Sequence, residues 1–305
     1  MRAFTVATHH EGYLSSLEES ARKYGYTLQV LGFGRPWQGF VHRWQLLLDA
    51  LVGLPTEDVV LVVDGFDTVI TAPAACLELE YRARCEAADR LMFGVEHRRE
   101  HCSVPFWMLS EVFRRYHGVA HNLPIVNAGV CVGPVRLVRQ LCREMQAAAK
   151  TSTQLRPDDQ TILNRLVAQN AADPKKGIKV DCLEGLHAHC ERKVTGPLRH
   201  LYSNVPLVPN GPLRLHGGRV GVRIDGRHTR VFVVHGIFCT SLTPVCEALS
   251  IAVPEAKDLR RRRISQLDLR MFVETSRWLV GLAVIASIVA LVKAGLETGR
   301  TRPLP

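Results

Sequence analysis

The chain is organised around one stretch, Val59-Val60-Leu61-Val62-Val63-Asp64-Gly65-Phe66-Asp67-Thr68-Val69-Ile70. Its first five residues are apolar, mostly β-branched and without a helical period, which predicts a buried strand. Asp64 and Asp67 follow, and Gly65 lets the backbone turn between them. Ligands bind at the carboxyl ends of strands in open α/β sheets, so both acids are expected at a ligand site. They suit Mg²⁺ or Mn²⁺ carrying a diphosphate; the alternative is a strand-ending turn with two solvated acids.

The residues before this stretch predict alternating strands and helices. Tyr13–Tyr24 has apolar residues at helical spacing, and Gly25 is expected to end that helix. A strand–helix–strand–helix–strand order is typical of the opening of a parallel α/β sheet. The predicted strands are Ala3–Thr8 and Tyr26–Leu31, and the second predicted helix is Arg43–Leu51.

The residues after it continue the α/β pattern. Two acids, Asp158 and Asp159, open a predicted helix that runs to about Val167. Capping of the helix dipole is the structural alternative to a chemical role for them. The other predicted elements are a helix at Ala74–Ala88, a strand at Arg90–Glu96, a loop and strand at Asn127–Gly133, a helix at Pro134–Ala149, a hairpin turn at Ile224–Arg227 and a strand at Val231–Val234 that ends in His235.

Composition bounds the class of protein. The chain has 305 residues, of which 47% are hydrophobic and 22% charged, as in an ordinary globular protein with a substantial core. The net charge of +10 suits anionic partners such as nucleotide sugars, anionic lipid or nucleic acid. Basic and aromatic residues are not interleaved, so no nucleic-acid partner is predicted.

The nine cysteines do not predict a disulfide framework, because their number is odd and their spacing irregular. Reduced, scattered thiols fit a cytosolic protein better than a lumenal one. Cys182, His187, His189 and Cys190 form the one group that could be called a zinc site. Their spacing matches no usual zinc finger, so a zinc-free loop is favoured.

The C-terminal residues predict a membrane anchor. Trp278–Leu296 is apolar apart from Lys293, which can snorkel, and Trp278 stands where an interfacial anchor belongs. The basic residues lie mainly on the N-terminal side, above all Arg260–Arg263, which places the main domain in the cytosol. A buried C-terminal helix is the alternative. The N-terminus has no secretory signal. We therefore expect a globular domain at 1–255, a basic juxtamembrane segment at 256–277, a single-pass transmembrane helix at 278–296 and a short tail at 297–305.

Several separated segments resemble one family, the glycosyltransferase domain of procollagen lysyl hydroxylases, together with its procollagen-glycosyltransferase and giant-virus relatives. The resemblance covers roughly residues 3–240, and the segments occur in the family's order. They are Thr5–Thr8, Glu11–Leu14, Tyr26-Thr27, Leu31–Gly34, Trp37–Gly39, Val63–Ile70, Asn127–Gly129 with Gly133, Asp158–Gln160 and Val233–Gly236.

The resemblance implies a GT-A fold, a Rossmann-type mixed sheet flanked by helices, and a site for Mn²⁺ and a UDP-sugar. Asp64, Asp67 and His235 would hold Mn²⁺, a ligand set that suits this ion. Phe66 would stack on uracil and Thr8 would lie near the uridine. The remaining implied site residues are Asp158 and Asp159, facing the sugar and acceptor with one as general base, Gln160 at the sugar, and Glu96, Trp107 and Asn127 lining the donor or acceptor side.

The implied activity is transfer of galactose or glucose from UDP-galactose or UDP-glucose to a hydroxyl group, in hydroxylysine of a collagen-like protein or in another glycan. Two diphosphate contacts of the family are missing, because Val41 stands at a lysine position and Ile237-Phe238 at an Asn-Gly position. Arg35, His42 or Arg43 would have to compensate. The alternative is therefore a membrane-anchored binding or scaffold protein on the same fold. A phosphatase of the D-x-D-x-T type is disfavoured, because two residues separate Asp64 from Asp67 and that chemistry needs one.

Overall fold

A computed structural model gives the structure of the chain. It describes residues 1–87, 89–95, 125–151, 159–172, 179–182, 187–189, 213–216, 219–224, 227–236, 241–255 and 287. Two compact units are distinguished, Met1–Arg261 and Arg262–Pro305. In the second unit only Ser287 is described, so the elements below belong to the first.

A six-stranded mixed sheet forms the centre of the first unit, in the order β2-β1-β3-β6-β5-β7. The first three strands are parallel, as the sequence predicts, whereas β6 runs antiparallel to both its neighbours, β3 and β5. The carboxyl ends of β1, β2 and β3 therefore share one edge of the sheet. The strands are β1 (Arg2–Val6), β2 (Thr27–Leu31), β3 (Val59–Asp64), β5 (Arg90–Val95), β6 (Val126–Pro134) and β7 (Lys179–Cys182).

Helices cover both faces of this sheet, which explains why β3 is a continuous apolar run. Val60 and Val62 pack into one hydrophobic core cluster, and Leu61 and Val63 pack into another on the opposite face. The first cluster includes residues of α2 (Phe40–Ala50), α4 (Val135–Lys150) and α5 (Asp159–Ala172), and the second includes residues of α1 (Leu14–Lys23) and α3 (Ala74–Tyr81). Gly25, with φ +77°, follows α1 in the left-handed conformation, as expected for a helix end.

Two three-stranded sheets complete the described elements. One has the order β4-β12-β8, and the other is an antiparallel β11-β10-β9 sheet. Ile224 pairs with Arg227 across the β10–β11 connection, so the predicted two-residue hairpin is confirmed. The strands are β4 (Thr68–Ile70), β8 (His187–His189), β9 (Leu213–His216), β10 (Arg219–Ile224), β11 (Arg227–Arg230) and β12 (Val233–His235), followed by helix α6 (Thr243–Ala248).

Some predicted elements differ from the structure or lie outside it. The helix expected at Ala74–Ala88 is α-helical only to Tyr81 and continues as a π turn, Arg82–Glu86. The suggested zinc cluster has its described members in β7 and β8, without described side chains. The expected transmembrane helix at 278–296 and basic segment at 256–277 lie outside the described residues, Ser287 apart. Within the described residues, no helix combines the length and the apolar character needed to cross a membrane.

Candidate active site

Three strand ends bring Asp64, Asp67 and His235 together. Asp64 is the last residue of β3, Asp67 directly precedes β4, and His235 is the last residue of β12. β12 pairs antiparallel with β4 so that His235 lies opposite Thr68. The Gly236 amide donates a hydrogen bond to the Asp67 carbonyl oxygen at 2.6 Å. The convergence expected from the sequence is therefore present, and strand pairing produces it.

The geometry of the three side chains fits a divalent cation. Nε2 of His235 lies 3.4 Å from Oδ1 of Asp67 and 3.6 Å from Oδ2 of Asp64, and the three ligand atoms lie within 4.8 Å of one another. Adjacent ligands of an octahedral ion with bonds of about 2.1 Å lie about 3 Å apart, so small adjustments close the site around an ion. The donors are two carboxylates and an imidazole, a set that Mn²⁺ accepts.

Gly129 of β6 leaves room for these side chains. A Cβ atom at this position would lie 2.6 Å from Oδ2 of Asp64 and 2.8 Å from Cε1 of His235. Separations below 3.0 Å are not tolerated, so any side chain here would displace the acid or the imidazole. Oδ1 of Asn127 accepts a 2.7 Å hydrogen bond from the Gly129 amide, which fixes the backbone at this point. The absence of a side chain on β6 is therefore a requirement of the site.

Arg43 of α2 supplies a buried positive charge to the acidic site. Its Nη1 lies 2.8 Å from Oδ1 of Asp64 and 3.1 Å from Oδ2 of Asp159, and its Nη2 donates to the Ala128 carbonyl oxygen at 3.3 Å. The pKa of Arg43 is raised: burial alone would lower it, but the carboxylates of Asp64, Asp159 and Asp67 reverse that effect. One guanidinium therefore joins the end of β3 to the helix that carries Asp159.

The predicted sugar-side residues hold α5 against β6. Asp159 is only 7% exposed and bonds Arg43. Oε1 of Gln160 accepts a 2.8 Å hydrogen bond from the Ala128 amide, and its Nε2 donates to the Val126 carbonyl oxygen. Asn127, in the same strand segment, is buried. Contacts of these residues with a sugar stay a prediction, and their described partners give them a structural role beside it.

Phe66 and Thr8 lie at the same sheet edge as the acids. The Phe66 ring is 5.3 Å from the ring of His9, whose Nδ1 is hydrogen-bonded to Oγ1 of Thr8 at 2.9 Å. Gly65, expected to allow the turn, does not adopt a positive φ. It is needed instead for close approach to β1, because a Cβ there would lie 3.0 Å from Oγ1 of Thr5.

Three predicted site residues, Glu96, Trp107 and Asp158, lie outside the described residues. The sequence did not predict the buried place of Arg43, which was one of three cations, with Arg35 and His42, that would have to compensate for a lost phosphate contact. A signal was present, because Arg43, Leu46 and Leu47 share one face of α2 and the two leucines belong to the core. A charged residue on the apolar face of a helix indicates a buried ionic partner.

A family model described as the PLOD GT domain matches residues 1–181, more than half of the chain. Among solved structures, the galactosyltransferase LgtC, determined in complex with donor and acceptor sugar analogs, is similar over 84% of this chain and 98% of its own, with 13% identity and a TM-score of 0.47. A glycosyltransferase involved in the glycosylation of the major capsid of PBCV-1 is similar over 82% and 98%, with 12% identity and a TM-score of 0.42. Both TM-scores are too low to transfer chemistry to this chain. No curated protein matches it.

Proposed function

The chain belongs to the family of PLOD glycosyltransferase (GT) domains, and on this premise we propose that it is a Mn²⁺-dependent enzyme that moves galactose or glucose from a UDP-sugar to a hydroxyl group. The family match confirms the resemblance found in the sequence segments. The acceptor we propose is hydroxylysine in a collagen-like protein or a hydroxyl group of another glycan.

One observation supports the metal-dependent reaction above all others: Asp64, Asp67 and His235 converge at the carboxyl edge of the sheet. These residues would hold Mn²⁺, which supplies positive charge that stabilises the UDP leaving group. The space kept by Gly129 and the shared edge with Phe66 and Thr8 are consistent with a nucleotide donor at this edge.

Side chains of the protein itself have the remaining roles in binding the donor and activating the acceptor. Phe66 offers an aromatic face for uracil. Thr8 is connected to Phe66 by His9, which is hydrogen-bonded to Thr8 and whose ring contacts the Phe66 ring. Asp159 is buried and its carboxylate is already engaged by Arg43. This favours its neighbour Asp158 as the general base on the acceptor hydroxyl. We assign Gln160, Asn127, Glu96 and Trp107 to the walls that orient the sugar and acceptor.

Turnover of UDP-galactose and UDP-glucose with and without Mn²⁺ tests the proposal. The parent should release UDP only with the metal, and Asp64→Asn should lose about 100-fold or more of this activity, because several kcal/mol of charge stabilisation disappear. Glu57→Gln is the matched control: this exposed acid precedes β3 at the opposite sheet edge and should leave turnover unchanged. Absence of Mn²⁺-dependent turnover with either donor would overturn the enzymatic assignment.

A catalytically inactive binding or scaffold protein is the second candidate. Val41 provides no charge where the family has lysine, and the Arg43 guanidinium is occupied by two acids. Arg35, which is exposed, and His42, which is half-buried, are the remaining cations suggested for the diphosphate. A thermal shift produced by UDP and Mn²⁺ together, with no turnover of either donor, would favour this candidate.

We also propose that residues 278–296 anchor the protein in a membrane with the main domain in the cytosol. The support is the apolar sequence, the Trp278 flank and the cluster Arg260–Arg263. The full chain should remain in the membrane fraction after carbonate extraction, whereas the double variant Val284→Lys/Ile288→Lys should be released. Release of the unmodified chain would contradict the anchor.

A further inference from the structure

Arg43 is an unusual residue for its position. It is 6% exposed, lies in the middle of α2 and is followed by Trp44, which is fully packed in the core. A buried cation is expensive unless charged partners surround it. Its partners here are a proposed metal ligand, Asp64, and a residue of a separate helix, Asp159.

The contacts of this one guanidinium connect four elements. Arg43 projects from α2 and reaches Asp64 at the end of β3, Asp159 at the start of α5 and the Ala128 carbonyl oxygen of β6. Ala128 is directly beside Gly129, whose missing side chain makes room for Asp64 and His235. A planar fork with donors in fixed directions suits such a bridge, whereas an ammonium group is a point charge on a flexible stem.

Coulomb interactions around the site also favour a bridging role for Arg43. Asp64 and Asp67 lie side by side, and Asp159 is held near them through the same guanidinium. Like charges in a partly buried site repel, which tends to separate the carboxylates before any cation is bound. The Arg43 charge offsets this repulsion within the protein itself.

We propose that Arg43 is a positioning residue: it holds the Asp64 carboxylate, fastens it to Asp159 on α5, and so keeps the acidic centre assembled in the metal-free protein. The inference rests on the proposed function, because it takes Asp64 as a metal ligand. It differs from a phosphate-binding role for Arg43, since it predicts an effect on metal binding when no nucleotide is present.

Binding of Mn²⁺ alone to the full chain is the first test. The electron paramagnetic resonance signal of free Mn²⁺ measures how much metal remains unbound. Arg43→Lys keeps the charge but loses the planar fork that holds the two acids on Nη1 and the Ala128 carbonyl oxygen on Nη2 in fixed directions. Mn²⁺ affinity should therefore fall about 10–100-fold, as for other partners of metal ligands. Leu51→Ala is the control. Leu51 is fully buried in the same core cluster as Trp44, at the C-terminal end of α2, so its loss disturbs the core away from the guanidinium. It should lower the melting temperature and leave Mn²⁺ affinity unchanged.

Thermal unfolding without metal is the second test. Arg43→Met leaves Asp159 buried without its cation, and the melting temperature should fall by roughly 6–15 °C. Adding Asp159→Asn to Arg43→Met removes the uncompensated charge and should recover at least half of that loss. An Arg43 that acts through packing alone would show no such recovery, because its lost packing is the same in both variants.

The outcomes separate the inference from the proposed function. Unchanged Mn²⁺ affinity in Arg43→Lys, or no recovery in the double variant, overturns the positioning role. If the parent binds no Mn²⁺, the proposed metal-dependent function fails. The thermal recovery then still decides whether the Arg43 charge holds Asp159 of α5.

Discussion

Nε2 of His235 lies 3.4 Å from Oδ1 of Asp67, because β12 pairs with β4, the strand that begins one residue after this acid. The candidate metal centre therefore depends on the pairing of two three-residue strands. Such short strands are stable only as part of a packed core, and Val233, Val234 and Val69 are fully buried. Packing of these residues thus fixes the third ligand.

Replacing His235 by alanine should weaken the metal centre while the fold persists. Removal of one of three ligands should lower Mn²⁺ affinity at least about tenfold and turnover about 100-fold or more. Calorimetric titration with Mn²⁺ and UDP release measure the two effects. Val138→Ala, a core change on α4 in a different core cluster from β12, should lower stability by about 1–3 kcal/mol and keep the affinity. Equal affinity in His235→Ala and the parent would contradict the triad.

Gly129→Ala should disturb the site through steric contact alone. The added methyl group meets Asp64 and His235 at separations below 3 Å, so we expect a clear loss of Mn²⁺ affinity and turnover. Gly133→Ala is a matched change on the same strand. Its methyl group would meet Cδ2 of Leu91 at 2.3 Å, inside the core and away from the acids. Gly133→Ala should lower the melting temperature without a comparable loss of metal binding; the reverse pattern would refute the steric argument.

Tyr13→Phe should destabilise the protein through one lost hydroxyl group. That oxygen accepts hydrogen bonds from the Leu242 amide at 2.8 Å and the Thr243 amide at 3.1 Å, and it also contacts the Ser241 hydroxyl. Leaving the buried Leu242 amide unsatisfied costs about 1–3 kcal/mol. Urea unfolding measures the change in free energy.

Tyr81→Phe is the comparison for this variant. The Tyr81 hydroxyl donates one hydrogen bond, to the Arg90 carbonyl oxygen at 3.0 Å, so its loss should cost less than that of Tyr13. A larger loss in Tyr81→Phe would show that the Tyr13 hydroxyl does not hold the start of α6.

Alkylation should label the described cysteines in an order set by burial. Burial raises the pKa of Cys142 to about 12 and also raises that of Cys131, so neither thiol ionises at pH 8. Cys76 is half-buried and should react first among the described thiols. Mass spectrometry after timed iodoacetamide treatment measures the order, and early labelling of Cys131 or Cys142 would contradict it. In urea all the thiols should react at similar rates.

The local residue pattern was sufficient to predict the secondary-structure elements around Asp64 and Asp67. The apolar run of β3, the alternation of strands and helices before it and the hairpin at Ile224–Arg227 follow from residue spacing and turn preference, and the structure confirms them. The π turn after α3 was not predictable in this way, because such turns are rare and occur as single interruptions of α-helices.

The site residues divide in the same way into those that the local residue pattern predicts and those whose place depends on tertiary contacts. Asp64 and Asp67 are visible as acids that end a strand, whereas the place of Arg43 depends on which face of α2 meets the sheet. Gly129 lies in a segment that resembles the family, but the reason for a glycine there, room for the side chains of Asp64 and His235, is visible only in the structure.

The order of residues by itself determined a buried strand ending in two carboxylates, because apolar content and strand period act between near neighbours in the chain. The family resemblance already implied that His235 joins those acids, but only the tertiary structure decided that the pairing of β12 with β4 brings it there and that Arg43 is their buried counter-ion. Both facts arise from pairing and burial between segments far apart in sequence, and such contacts depend on how the whole core packs.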